Sequence, residues 1–122
     1  MRVLPALLLA PLPAFAQVLP VDHAGRWSGS GTQPDGQSWL IELVMMADGA
    51  VVVYPDVPCA ATWTYAEAGP AFLTATEHLA AGFDLCVDNL PLRAQIDSKG
   101  TMTVTWTNPD GTPNATARLD RD

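Results

Sequence analysis

Basic residues are scarce in this chain of 122 residues. It has 6 Lys and Arg against 13 Asp and Glu, a formal charge of −7. Arg2, Arg26, Arg93, Lys99, Arg118 and Arg121 are scattered and form no patch. A chain this acidic is repelled by nucleic-acid phosphates and anionic membrane surfaces, so no nucleic-acid partner is expected. Histidine and cysteine are equally sparse, at two each. His23 and His78 stand far apart with no ligand spacing around them, so no metal and no cofactor are expected. The cysteines form no CxxC pair. Beyond the first residues there is no long apolar run. No window of about a dozen residues carries a 3.6-residue period free of Gly and Pro.

One apolar stretch does occur, at the start: MRVLPALLLAPLPAFAQ. Arg2 precedes the run Val3 to Ala10, a Pro-broken segment follows, and Ala14-Phe15-Ala16 supplies small residues at a cleavage point. That is the layout of a secretory signal peptide over residues 1–16. The run is too short for the roughly 20 residues of a membrane span, and Pro5, Pro11 and Pro13 interrupt it. No membrane insertion is expected after cleavage, and the chain is expected in the periplasm or secreted. The mature part, 17–122, is one small domain, a monomer by expectation. Losing Arg2 leaves it 13 acidic against 5 basic side chains, a formal −8.

Two cysteines in an exported chain most often pair. Cys59 and Cys86 can make only one intramolecular bridge. The loop it closes stabilises a domain of this size by about 3 kcal/mol in the chain-entropy model.

From His23 onward, turn signals recur at near-regular intervals. They include Pro34-Asp35-Gly36, Ala47-Asp48-Gly49, Pro55 to Pro58, Ala68-Gly69-Pro70 and Ala80-Ala81-Gly82. Asn89 to Pro91, Asp97 to Gly100 and Asn108 to Gly111 continue the series. The runs between alternate with period two. Met102, Val104 and Trp106 share one face of a strand whose other face is four threonines. Strands are expected at 24–32, 37–47, 50–54, 60–67, 71–79, 83–88, 91–97, 101–107 and 113–119. An all-β, up-and-down antiparallel meander of 8–9 strands follows, closed or half-open as a barrel, with a β-sandwich as the alternative. The segment Trp39 to Met46 is apolar on both faces apart from Glu42, so its outer face is either covered or sticky.

Gly25-Arg26-Trp27 at the start of the first strand, followed by a meander, resembles the calycins. That resemblance implies a barrel whose first and last strands pair. Trp27 would plug one end under a late basic residue, Arg118 before Arg121. The segment Tyr54-Pro55-Asp56-Val57-Pro58-Cys59, with Phe72, Glu77, Gly82 and Cys86 downstream, resembles a small bacterial extracytoplasmic domain marked by YP-x3-C and a second Cys. This second resemblance implies export and the disulfide, and brings no chemistry with it.

Catalytic constellations are missing. Glu77-His78 is the sole adjacent acid and imidazole, yet neighbours on a strand point to opposite faces. Alternation puts Glu77 on the face of Leu73 and Ala75, where burial calls for a partner, expected to be an Arg. Gly29-Ser30-Gly31 sits in a strand and not on a nucleophile elbow. Four tryptophans either line an apolar cavity or fill a barrel too narrow for a ligand, and filling is the commoner outcome. The candidates for ligand contact are Trp39, Trp63 and Glu77. The expected function is a non-catalytic, exported binding module for an extracytoplasmic protein or a small apolar ligand, with inhibitor-like recognition as one version. A structural envelope protein without a discrete ligand is the alternative, and a small hydrolase a third.

Overall fold

The computed structural model describes residues 23–122. The expected signal peptide, and the lead-in up to residue 22, lie outside the described residues. Eight strands make up the fold: β1 (Gly25–Thr32), β2 (Ser38–Met46), β3 (Gly49–Tyr54), β4 (Cys59–Gly69), β5 (Phe72–Ala81), β6 (Leu90–Ile96), β7 (Thr101–Thr107) and β8 (Pro113–Arg121). Each pairs antiparallel with the next, and β1 pairs with β8, so the sheet closes into a barrel. The meander is therefore a barrel and not a sandwich, because closure leaves no edge strand to be covered.

Alternation decides what lies inside. On β7, Met102, Val104 and Trp106 are buried while the intervening threonines reach the surface. The same parity places Ile41, Leu43 and Met45 of β2, Ala61, Trp63 and Tyr65 of β4, and Leu73, Ala75 and Glu77 of β5 within the barrel. An eight-stranded barrel has an interior just wide enough for its own side chains or for one small ligand. Here the described middle is filled, with Trp27, Leu43, Leu73, Met102 and Leu119 nearly inaccessible to solvent. The outer face of β2 and β3 is uncovered: Leu40, Met46, Val51 and Val53 are exposed, and Val44 lies opposite Val51.

Two sequence expectations need correction. Residues 83–88 are a loop and not a strand. Gly82 has φ +87°, and the amides of Leu85 and Cys86 both donate to its carbonyl, which winds the chain into a turn. A side chain at residue 82 would collide with the Cys59 Sγ and the Pro58 carbonyl, so glycine is required twice over. This also removes a conflict over the disulfide. With Cys86 on a strand, one full strand would have separated it from Cys59; on the loop it reaches Cys59 at a Cα separation of 6.6 Å.

The second correction concerns the late arginine. Arg121, and not Arg118, lies over the Trp27 ring, 4.3 Å from its centroid. Register explains the choice. Trp27 pairs with Arg121, whereas Arg118 pairs with Ser30 and has the outward parity of β8.

Candidate functional site

Successive hairpins place the loops alternately at the two ends. At one end lie the β2–β3, β4–β5 and β6–β7 turns and the start of β1; at the other lie the β1–β2, β3–β4, β5–β6 and β7–β8 loops. The first end is closed. The Trp27 indole donates to the His23 carbonyl at 3.1 Å, the His23 ring meets the Gly69 carbonyl at 2.8 Å, and Arg121 donates to the Ala24 carbonyl at 2.7 Å. Tyr65 completes it, its hydroxyl donating to the Met46 carbonyl at 2.9 Å.

The second end is open. A cavity of about 390 Å³ enters the barrel there, within the range of small-molecule sites. Its walls are Trp39, Tyr54 and Trp106 with Leu90 and Ala115, and its rim includes Leu85 and Val87 of the β5–β6 loop. Those two rim residues are 63% and 52% exposed, so apolar surface is presented at the mouth.

Glu77 sits in this cavity while only 4% exposed. Three neutral groups donate to it. The Tyr54 hydroxyl lies 2.9 Å from Oε1 and 2.8 Å from Oε2. The Trp63 indole N–H reaches Oε1 at 2.7 Å and that of Trp106 reaches it at 3.1 Å. The expected arginine partner is not what the structure holds: among the described residues, these neutral donors are its hydrogen-bond partners. The reason is parity again, since Arg26, Arg93 and Arg118 all occupy outward positions on their strands. Three N–H and O–H groups satisfy a buried carboxyl group without a second buried charge.

Burial raises the Tyr54 phenol far above its ordinary range, and the charge of Glu77 and the hydrogen bond to it act in the same direction. Tyr54 is thus a fixed donor near neutral pH, not a general base. His78, next in sequence to Glu77, points outward and contacts Asn89 at 3.0 Å. It cannot share a substrate with Glu77. Among the described residues, no group of three or more His, Cys, Asp and Glu is placed to hold a metal ion.

The β5–β6 loop is held down at three points. Cys86 is bridged to Cys59, Asp88 accepts the Leu79 and Asn89 amides at 2.8 Å each, and Asn89 engages His78. On the neighbouring β7–β8 loop, Asp110 accepts from the Thr112 hydroxyl and amide, which lowers its pKa, and Asn114 at the start of β8 donates to Asn108 at 2.9 Å.

Of the three ligand-contact candidates, the structure brings Trp39 and Glu77 to the cavity. Trp63 is 2% exposed and lies behind Glu77, as a donor to it and not as a wall. Sequence reasoning missed Tyr54 and Trp106 as partners of Glu77. The signal was present as inward parity near the same ends of their strands, but it becomes visible only once the order of strands around the barrel is known.

No family model matches the chain, and no curated protein does. Among solved structures, a redesigned beta barrel matches with a TM-score of 0.61 and 16% identity, over 83% of this chain and 92% of that one. At that identity the likeness concerns the fold: a small closed β-barrel.

Proposed function

We propose that this protein is a non-catalytic binding module that takes a small, largely apolar ligand into the open end of its barrel. The observation that carries this reading is the asymmetry of the interior. One end is plugged by Trp27, while the other holds a 390 Å³ cavity with aromatic walls and an exposed apolar rim. A purely structural barrel gains nothing from leaving apolar side chains in water at one mouth. Support for binding over hydrolysis comes from the chemistry of Glu77. Its neighbours are donors in fixed positions, and the nearest titratable group, Tyr54, is held protonated.

The Cys59–Cys86 disulfide is consistent with an oxidising compartment, and with the signal-peptide-like start we place the protein outside the cytoplasm, in a periplasm or secreted. The test is titration of the folded protein with N-phenyl-1-naphthylamine, a neutral apolar fluorophore. Binding should raise its emission, and both Trp39→Ala and Val87→Arg should weaken that binding. A flat titration, or binding indifferent to both substitutions, overturns the reading.

A further inference from the structure

The chemistry of the mouth narrows the ligand class. Within Glu77 the two oxygens are unequally supplied. Both indoles donate to Oε1, whereas Oε2 meets only the Tyr54 hydroxyl, whose single proton it shares with Oε1. A carboxylate offers about four acceptor sites, so three donors leave capacity on Oε2, in a group that is 4% exposed and lines the cavity. A second residue with an acceptor, Asn114, also lines the cavity. The Asn114 amide nitrogen is engaged with Asn108, and its Oδ1 has no hydrogen-bond partner among the described residues.

Charge placement is an independent observation. The four loops of the open end carry Asp35, Asp56, Asp84, Asp88 and Asp110, and no Lys or Arg. All but Asp84 also accept backbone amides: Asp35 and Asp110 within their own turns, Asp56 from Leu40 of β2 and Asp88 from Leu79 of β5. The field they produce at the mouth is negative all the same. The closed end carries both signs, with Arg26, Lys99 and Arg121 among its acids. The aromatic walls act in the same direction, because ring faces attract cations.

We infer that the open end binds a protonated primary amine carried on a short apolar or aromatic body, with the ammonium at Glu77 Oε2 and the body between Trp39, Tyr54, Trp106 and the Leu85–Val87 rim. This deepens the binding-module reading and rests on it. An amine fits where an alcohol fits less well: it supplies several donors to Glu77 and Asn114, and it neutralises a buried negative group. A carboxylic acid is repelled by both Glu77 and the rim.

Calorimetric titration of the disulfide-bonded protein at pH 7 with 2-phenylethylammonium, 2-phenylethanol and 3-phenylpropionate tests it. The three probes share their apolar body and differ in charge. The ammonium should bind at least tenfold more tightly than the alcohol, and the carboxylate most weakly. Glu77→Gln should bring the ammonium down to the alcohol's affinity, and Asp84→Lys, an exposed rim change, should weaken it a few-fold. Equal affinity for alcohol and ammonium in the native protein overturns the cation while leaving the binding module standing. An ammonium preference that survives Glu77→Gln also overturns the assignment. Failure of all three probes, together with a flat fluorophore titration, removes the module itself. The native-protein comparison decides the matter even if Glu77→Gln does not fold.

Discussion

The two ends of this barrel are built from the same alternating strands, yet they solve opposite problems. At the closed end a large aromatic is covered by an arginine and satisfied by backbone carbonyls: Trp27 to His23, Arg121 to Ala24, Tyr65 to Met46. At the open end aromatics are satisfied by a single buried carboxyl group, with Tyr54, Trp63 and Trp106 all turned to Glu77. Backbone acceptors exist in any sheet, so the closed end needs only bulk and a cation. A side-chain acceptor has to be placed deliberately and buried at a cost, so its position at a mouth signals a use beyond packing. One tyrosine serves each end, which makes the comparison accessible to experiment.

The largest effect should come from breaking the plug. Trp27→Ala should destabilise by about 3–5 kcal/mol in denaturant unfolding, as for other buried aromatics, and could abolish folding. Glu77→Leu should cost about 3 kcal/mol by the same measurement, because three buried donors lose their common acceptor at about 1–3 kcal/mol each and water at the mouth recovers part. If Glu77→Leu proves neutral, the open end is ordinary packing and the contrast fails.

Reduction of Cys59–Cys86, or Cys86→Ser with Cys59→Ser, should cost about 3 kcal/mol. Amide exchange should then accelerate over residues 82–89 and not around Trp27, since the bridge ties down an open-end loop. Uniform acceleration would show instead that the two ends unfold together.

Alkaline titration compares the two tyrosines directly. Burial raises both phenols above their ordinary pKa of 10, with Glu77 adding to the effect at Tyr54. The folded state therefore holds these protons where the unfolded chain releases them. Their contribution to stability is fully present below about pH 10 and is lost as pH rises beyond it. Because Tyr54 and Tyr65 are the two tyrosines of the chain, tyrosinate absorbance should appear only together with unfolding. A phenol ionising before the loss of native tryptophan fluorescence would identify one end as wetter than the structure shows.

A small effect is expected from Arg121→Ala. The cation–π contact over Trp27 is worth about 0.5–2 kcal/mol, and ligand binding at the far mouth should be unchanged. Arg118→Ala, on the outer wall, should cost less still.

Much of this was legible in the chain itself. Turn residues at short intervals, and period-two runs such as Thr101 to Thr107, determine an all-β meander because local backbone preference and side-chain alternation act within a few residues. The two cysteines determine their own pairing, there being no other partner. Alternation alone puts Glu77 on the inward face with Leu73 and Ala75. What tertiary structure decided is everything that depends on register across strands. Arg121 rather than Arg118 covers Trp27 because β8 meets β1 in one register and not another. The loop at 83–88 looked like a strand because Phe83, Leu85 and Val87 alternate, but Gly82 and the bridge to Cys59 wind it into the rim of the mouth. Trp63 faces Glu77 directly across the β4–β5 hairpin, but Tyr54 and Trp106 come from β3 and β7, each two strands away, and only the curvature of the barrel brings their donors to the same carboxyl group. Local sequence specifies which face a residue takes; which residues share that interior, and at which end, is a property of the closed sheet.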